Sequence, residues 1–110
     1  MTQHKLPLPA EVVESLQAIG AGIRTARLRR RQTAPDLADR MGVSLGTLLK
    51  LERGDPGVAL GTFAAALWAL NLLAPVAEAV RPEADRIAAA IEAVRAPRRA
   101  RRRKDALDDL

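Results

Sequence analysis

The stretch QTAPDLADRMGVSLGTLLKLERGD, residues 32–55, restricts the fold more than any other part of the chain. It holds two short runs of helix formers, each opened by a capping residue and separated by Gly42. Thr33 is a good N-cap, because its hydroxyl can accept from a free amide of the first turn. Pro35 suits that turn, where a missing N–H costs nothing, and Asp36 meets the positive end of the helix dipole. Gly42 can take a positive φ and so end the first helix. Ser44 caps the second helix, and Gly54 closes it before a turn at Asp55-Pro56-Gly57. Leu37, Ala38 and Met41 form the buried side of the first helix, Leu48 and Leu51 that of the second. With Val43 they would lock two short helices at a fixed angle, the geometry of a helix-turn-helix.

The remainder also reads as helix, and the fold class is all-α. Residues 1–10 read as a flexible arm, with Pro7 and Pro9 opposing an early helix. Apolar residues recur at Val12, Leu16, Ile19, Ile23 and Ala26, the spacing of one helical face. Gly20 and Gly22 weaken its middle, so two pieces are expected, the better one over residues 17–30. In ALGTFAAALWALNLL the residues Leu60, Phe63, Ala64, Leu67 and Leu70 share a face, with Ala59 as a poor cap. Trp68 sits one step off that stripe and is expected to be half exposed. Ala74-Pro75 starts a fifth helix carrying Val76, Ala77 and Val80. Arg81-Pro82 starts a sixth, with Ala84, Ile87, Ala88, Ile91 and Val94 in one narrow stripe suited to a second subunit. Residues 97–110 carry no periodic apolar face and read as disordered when free.

Several function classes fall away on composition. The chain has 110 residues, room for one small domain with a core and extensions. Phe63 and Trp68 are its only aromatic residues, too few for a base-stacking platform. It has no Cys, so thiolate chemistry and Cys-ligated zinc are excluded, and a cytoplasmic, nucleoid-associated location is expected. His4 is the sole histidine and lies in the arm; Ser15 and Ser44 are the only serines, with no base in context to activate them. Asp36 and Asp39 alone make no metal site. No enzymatic activity, cofactor or metal is therefore expected. Residues 58–77 are uncharged over 20 positions, but they are Ala-rich with Asn71 and Pro75, so two buried helices explain them better than a membrane span. The formal charge of +5 is uneven. Residues 1–73 carry nine basic and six acidic side chains, residues 74–94 two and four, and residues 95–110 seven and three. Such basic blocks favour polyanions, most commonly nucleic acid.

IRTARLRRRQTAPDLADRMGVSLGTLLKLERGD, with its LADRMGVS and LERG pieces, resembles the helix-turn-helix domain of phage repressors and XRE regulators over roughly residues 16–73. The resemblance implies a compact five-helix bundle over residues 11–81, here with an extra C-terminal helix over 82–96 and a basic tail over 97–110. It also implies a homodimer on double-stranded operator DNA. Arg27 and Glu52 match two family positions that pair between the first and third helices. Leu45, Gly46, Thr47, Leu49 and Lys50 match positions that face DNA. Leu45 could touch a thymine methyl, Thr47 a base edge or phosphate, and Lys50 a guanine or phosphate; Gly46 reads nothing but permits close approach. Thr33 and Ser44 stand at the two helix starts, where amides can rest on phosphates. Arg31, Gln32, Arg40 and Arg53 flank this surface as phosphate grips. The family commonly has a phosphate-binding Gln where this chain has Ala34, which cannot make that hydrogen bond.

The order of parts is similar to that of HipB-like antitoxins, which pair with a HipA-like kinase toxin and repress the shared operon. In that reading Arg98, Arg99, Arg101, Arg102, Arg103 and Lys104 contact DNA or the toxin. The alternatives are a stand-alone phage-type repressor, or a protein-binding adaptor whose DNA readout has decayed.

Overall fold

The computed structural model describes residues 7–95, and all regular structure among them is helical. The helices are α1 (Ala10–Arg29), α2 (Ala34–Met41), α3 (Leu45–Glu52), α4 (Leu60–Ala69), α5 (Leu73–Ala79) and α6 (Arg86–Arg95), with a 3₁₀ turn at Pro82–Ala84. The chain divides at Ala74 into two compact units.

In the first unit, α1 is one unbroken helix of 20 residues, not two pieces. Gly20 does not break it, because its missing side chain is what lets α1 lie against the end of α3. A Cβ there would stand 2.6 Å from the carbonyl oxygens of Leu51 and Glu52. The stripe on α1 is buried only over its second half. Ile23 and Ala26 enter the core and Leu16 is half-buried, with Gly54 against its carbonyl, whereas Val12 and Ile19 remain exposed. Arg31 takes a φ of +53°, unusual for a residue with a side chain, and turns the chain from α1 towards α2.

The capping chemistry of α2 and α3 is local, while α1 and α4 have no side-chain cap at their starts. Thr33 Oγ1 accepts from the Asp36 amide at 3.2 Å, and Gly42 ends α2 at φ +71°. Ser44 Oγ accepts from the Thr47 amide at 3.2 Å. The Gly57 amide donates to Asp55 Oδ1 at 2.8 Å and closes the turn after α3. Leu37, Ala38, Leu48 and Leu51 meet Ala66, Leu67, Ala69 and Leu70 of α4 and its C-terminal cap in a single core, with Met41, Val43 and Phe63 packed at its edge. Burying one of these leucines stabilises by about 1.5–3 kcal/mol relative to leaving it in water.

The face of α4 differs from the sequence expectation. Leu60 is 78% exposed and Ala64 only half-buried, while Ala66 and Ala69 point inward. Both alanines belong to the single buried cluster that α1, α2, α3 and α4 share. The expected fifth helix adds no buried residue; its contribution to the core edge is the preceding Leu72.

The second unit contains the Pro82–Ala84 turn and α6. The expected sixth helix does not start at Pro82. Asp85 adopts a non-helical backbone, and its Oδ1 accepts from the Ala88 amide at 3.0 Å, so it caps α6. Ile87 and Val94 are largely exposed, at 76% and 87%, and Ile91 at 44%. No described helix is long and apolar enough to cross a membrane.

Candidate nucleic-acid interface

The α2–α3 pair is built so that one side of α3 is fixed and the other is free. Leu48 is fully buried and Leu51 nearly so, while Leu45, Gly46, Leu49 and Lys50 are exposed. Helical spacing forces this division, because positions three and four apart share a face. Gly46 leaves its part of the helix surface open, since a Cβ there would meet only Ser44 Oγ, at 3.9 Å.

Thr47 is half-buried, and its hydroxyl lies 3.0 Å from Ser44 Oγ. These two hydroxyls are therefore already engaged with each other and with the first turn of α3. Lys50 borders a shallow depression that also involves Thr47, Asp55, Gly57 and Thr62. Arg31, Thr33, Arg40 and Arg53 are exposed on the segments around α2 and α3.

Gln32 is placed differently from its flanking neighbours. It is half-buried, and its Oε1 is shut off from solvent with no hydrogen-bond partner among the described residues. Its backbone carbonyl accepts from Arg27 Nη1 at 3.1 Å. The sequence carried no sign of this, since Gln is ordinarily a surface residue.

Arg27 and Glu52 hold α1 to the end of α3. Nε donates to Glu52 Oε2 at 2.8 Å and Nη2 to Oε1 at 3.0 Å, a two-pronged contact. Both residues are buried, with side chains 9% and 4% exposed. The hydrogen bond to Glu52 raises the Arg27 pKa above its ordinary value, with burial opposing that shift. The contact makes no use of the outward face of α3; it orients the helix that presents that face.

A second feature escaped sequence reasoning. Gly54 has a φ of +77°, and a Cβ on it would stand 2.6 Å from the Leu16 carbonyl oxygen. Gly20 and Gly54 are thus a matched pair, whose signal was a glycine in mid-helix with no other reason to be there. The candidates Arg98, Arg99, Arg101, Arg102, Arg103 and Lys104 lie outside the described residues.

Comparison with protein-family models, with curated proteins and with solved structures finds no match.

Proposed function

We propose that this chain is a sequence-selective double-stranded DNA-binding repressor that works as a homodimer. The observation that carries this reading is the two-faced α3. Leu48, Leu51 and Glu52 bolt it to the core, leaving Leu45, Gly46, Leu49 and Lys50 free on a short, exposed helix. A major groove admits such a helix, and Lys50 can donate to a guanine or a phosphate. Arg31, Arg40 and Arg53 are exposed around it and would grip the backbone. Two such helices one DNA turn apart require a near-palindromic operator.

The outward face has one cation and much apolar surface, so direct readout is modest. Phosphate contacts, DNA shape and dimer spacing supply the rest of the selectivity. The order of parts, with a basic tail after α6, supports an antitoxin that neutralises a HipA-like kinase and represses the shared operon; the alternative is a stand-alone repressor. Exposed Leu45 and Leu49 favour one further reading, an adaptor that binds protein through α3. A gel shift of the full chain on its own upstream DNA separates these. A sequence-selective shift that survives competitor DNA supports the repressor; no selective shift at low salt leaves the adaptor ahead. Co-purification with a neighbouring kinase-like gene product distinguishes antitoxin from stand-alone repressor.

A further inference from the structure

Four turns among the described residues pass through the left-handed region of the backbone: Arg31 at φ +53°, Gly42 at +71°, Gly54 at +77° and Asn71 at +59°. Glycine enters that region freely, and Asn at lower cost than most residues, because its short side chain bonds locally. Arg31 has neither advantage. The bonds around it leave the chain no other course. Its amide donates to the Leu28 carbonyl at 3.0 Å and the Gln32 amide to the Arg27 carbonyl at 3.2 Å, a paired helix closure that requires one left-handed residue and ordinarily takes Gly. Arg27 Nη1 then donates to the Gln32 carbonyl at 3.1 Å, so Gln32 is tied to Arg27 through both its N–H and its C=O.

The Arg31 side chain is exposed and makes no hydrogen bond or ion pair among the described residues. Its neighbours differ: Arg27 is forked on Glu52, and Arg30 Nη1 donates back to the Ala26 carbonyl at 2.8 Å. A costly backbone position kept for a side chain that the fold does not use points to a partner outside the fold. The local charge indicates that partner's sign. Residues 32–39, QTAPDLAD, hold the acidic Asp36 and Asp39 and no basic side chain. Arg31 is thus the cation nearest in sequence to the start of α2, two residues before its cap Thr33. We infer that Arg31 is a phosphate anchor of the DNA surface, held at the head of α2 by the closure that Arg27 and Gln32 make. The inference rests on the proposed DNA reading and deepens it: one exposed arginine is distinguished from the rest by the backbone cost of keeping it there. A guanidinium suits the task, since its planar fork meets a phosphate through two parallel bonds.

Arg31→Gly, Arg31→Ala, Arg31→Lys and Arg29→Ala in the full chain test this. Each is titrated at several salt concentrations against a labelled duplex of the chain's own upstream DNA and a scrambled duplex of the same length. Thermal unfolding is followed in parallel. Arg31→Gly is expected to raise Tm by a few degrees, because the turn relaxes, and still to weaken binding to both duplexes by about fivefold. The slope of log affinity against log salt should flatten by about 0.9. Arg31→Ala should show the same loss of binding without the gain in Tm, since a Cβ remains. Arg31→Lys keeps the charge and should keep the slope. Arg29→Ala removes a charge from the regular helix of α1 and should change affinity by less than about twofold. Unchanged binding by Arg31→Gly overturns the inference, as does an equal loss in Arg29→Ala, which would trace the effect to net charge. No rise in Tm for Arg31→Gly over Arg31→Ala also overturns it, because the position would then carry no cost. The DNA reading fails separately: it falls, and the anchor with it, if the native chain binds neither duplex at low salt. Selective binding by the native chain, with unchanged binding by Arg31→Gly, removes the anchor alone and leaves that reading standing.

Discussion

Gly20 and Gly54 touch backbone to backbone where α1 crosses the end of α3. A Cβ on Gly20 would stand 2.7 Å from the Gly54 amide nitrogen, and one on Gly54 would stand 2.7 Å from Gln17 Cα. The obstructing atoms belong to the main chain, so no flexible side chain can move aside. Gly22, two residues further along α1, has nothing within 4 Å of its missing Cβ. The same substitution therefore has opposite signs at the two sites. Gly20→Ala is expected to destabilise by about 1–3 kcal/mol through overpacking. Gly22→Ala is expected to stabilise by roughly 0.5–1 kcal/mol, the ordinary gain of Ala over Gly in a helix. Equilibrium denaturation with urea measures both, and stabilisation by both would show that the crossing is looser than described.

The Arg27–Glu52 pair is buried, so removing one partner is far worse than removing both. Glu52→Ala leaves a guanidinium without its carboxylate and is expected to cost about 3–5 kcal/mol. Arg27→Met with Glu52→Leu replaces the pair by apolar groups and should recover most of that loss. Thermal unfolding of the two single variants and the double variant gives the coupling directly. The pH dependence has a defined sign. Because the Arg27 pKa is raised in the folded chain, its contribution is fully present below the unfolded pKa. It is lost only as pH rises through the folded value, in strongly alkaline solution. Stability from this arginine should therefore be flat from neutral to moderately basic pH.

Gln32 offers a stabilising substitution that also separates two roles. Its buried Oε1 lacks a hydrogen-bond partner among the described residues, and such an orphan acceptor costs about 1–3 kcal/mol. Gln32→Leu removes it and is expected to raise stability by about 1 kcal/mol, or roughly 4–8 °C in Tm for a domain of this size. A phosphate grip would use the Nε2 donors rather than this oxygen; if the Gln32 side chain serves packing alone, Gln32→Leu should leave DNA affinity unchanged. A several-fold loss of affinity at unchanged stability would return Gln32 to the DNA surface.

The parts of the fold that were legible in the sequence rest on local chemistry. Thr33, Gly42, Ser44 and Gly54 mark helix ends by what their own side chains, or lack of them, allow, and the ends lie where they say. The division of α3 into inward Leu48 and Leu51 and outward Leu45, Leu49 and Lys50 follows from helical spacing alone. What was not legible depends on partners distant in sequence. Gly20 reads as a weak point until Gly54 is placed beside it. Leu60 reads as part of the inward stripe of α4 yet is 78% exposed, while Ala66, outside that stripe, is fully buried. Asp85 caps α6 where Pro82 had promised a start, since proline in a first turn fits a 3₁₀ turn as readily as an α-helix.

On DNA, Lys50 and Arg40 should fail in different ways. Lys50 lies on the outward face of α3 and on the proposed reading would meet base edges, whereas Arg40 lies in the last turn of α2. Lys50→Ala is expected to lower affinity for the preferred site by about 1–3 kcal/mol and to relax selectivity at one base position. Arg40→Ala should weaken all sequences about equally. Each phosphate that the protein no longer neutralises also reduces the slope of log affinity against log salt by about 0.9. Arg40→Ala should therefore flatten that slope by nearly one unit, and Arg53→Ala by a similar amount. Deleting residues 97–110 flattens it further if the arginine run meets the backbone, and leaves it unchanged if the run serves a protein partner. Binding titrations at several salt concentrations, on the preferred site and on a scrambled one, resolve all four. Uniform weakening by Lys50→Ala, with no change in base preference, would assign that lysine to phosphate and leave α3 to recognise DNA by shape.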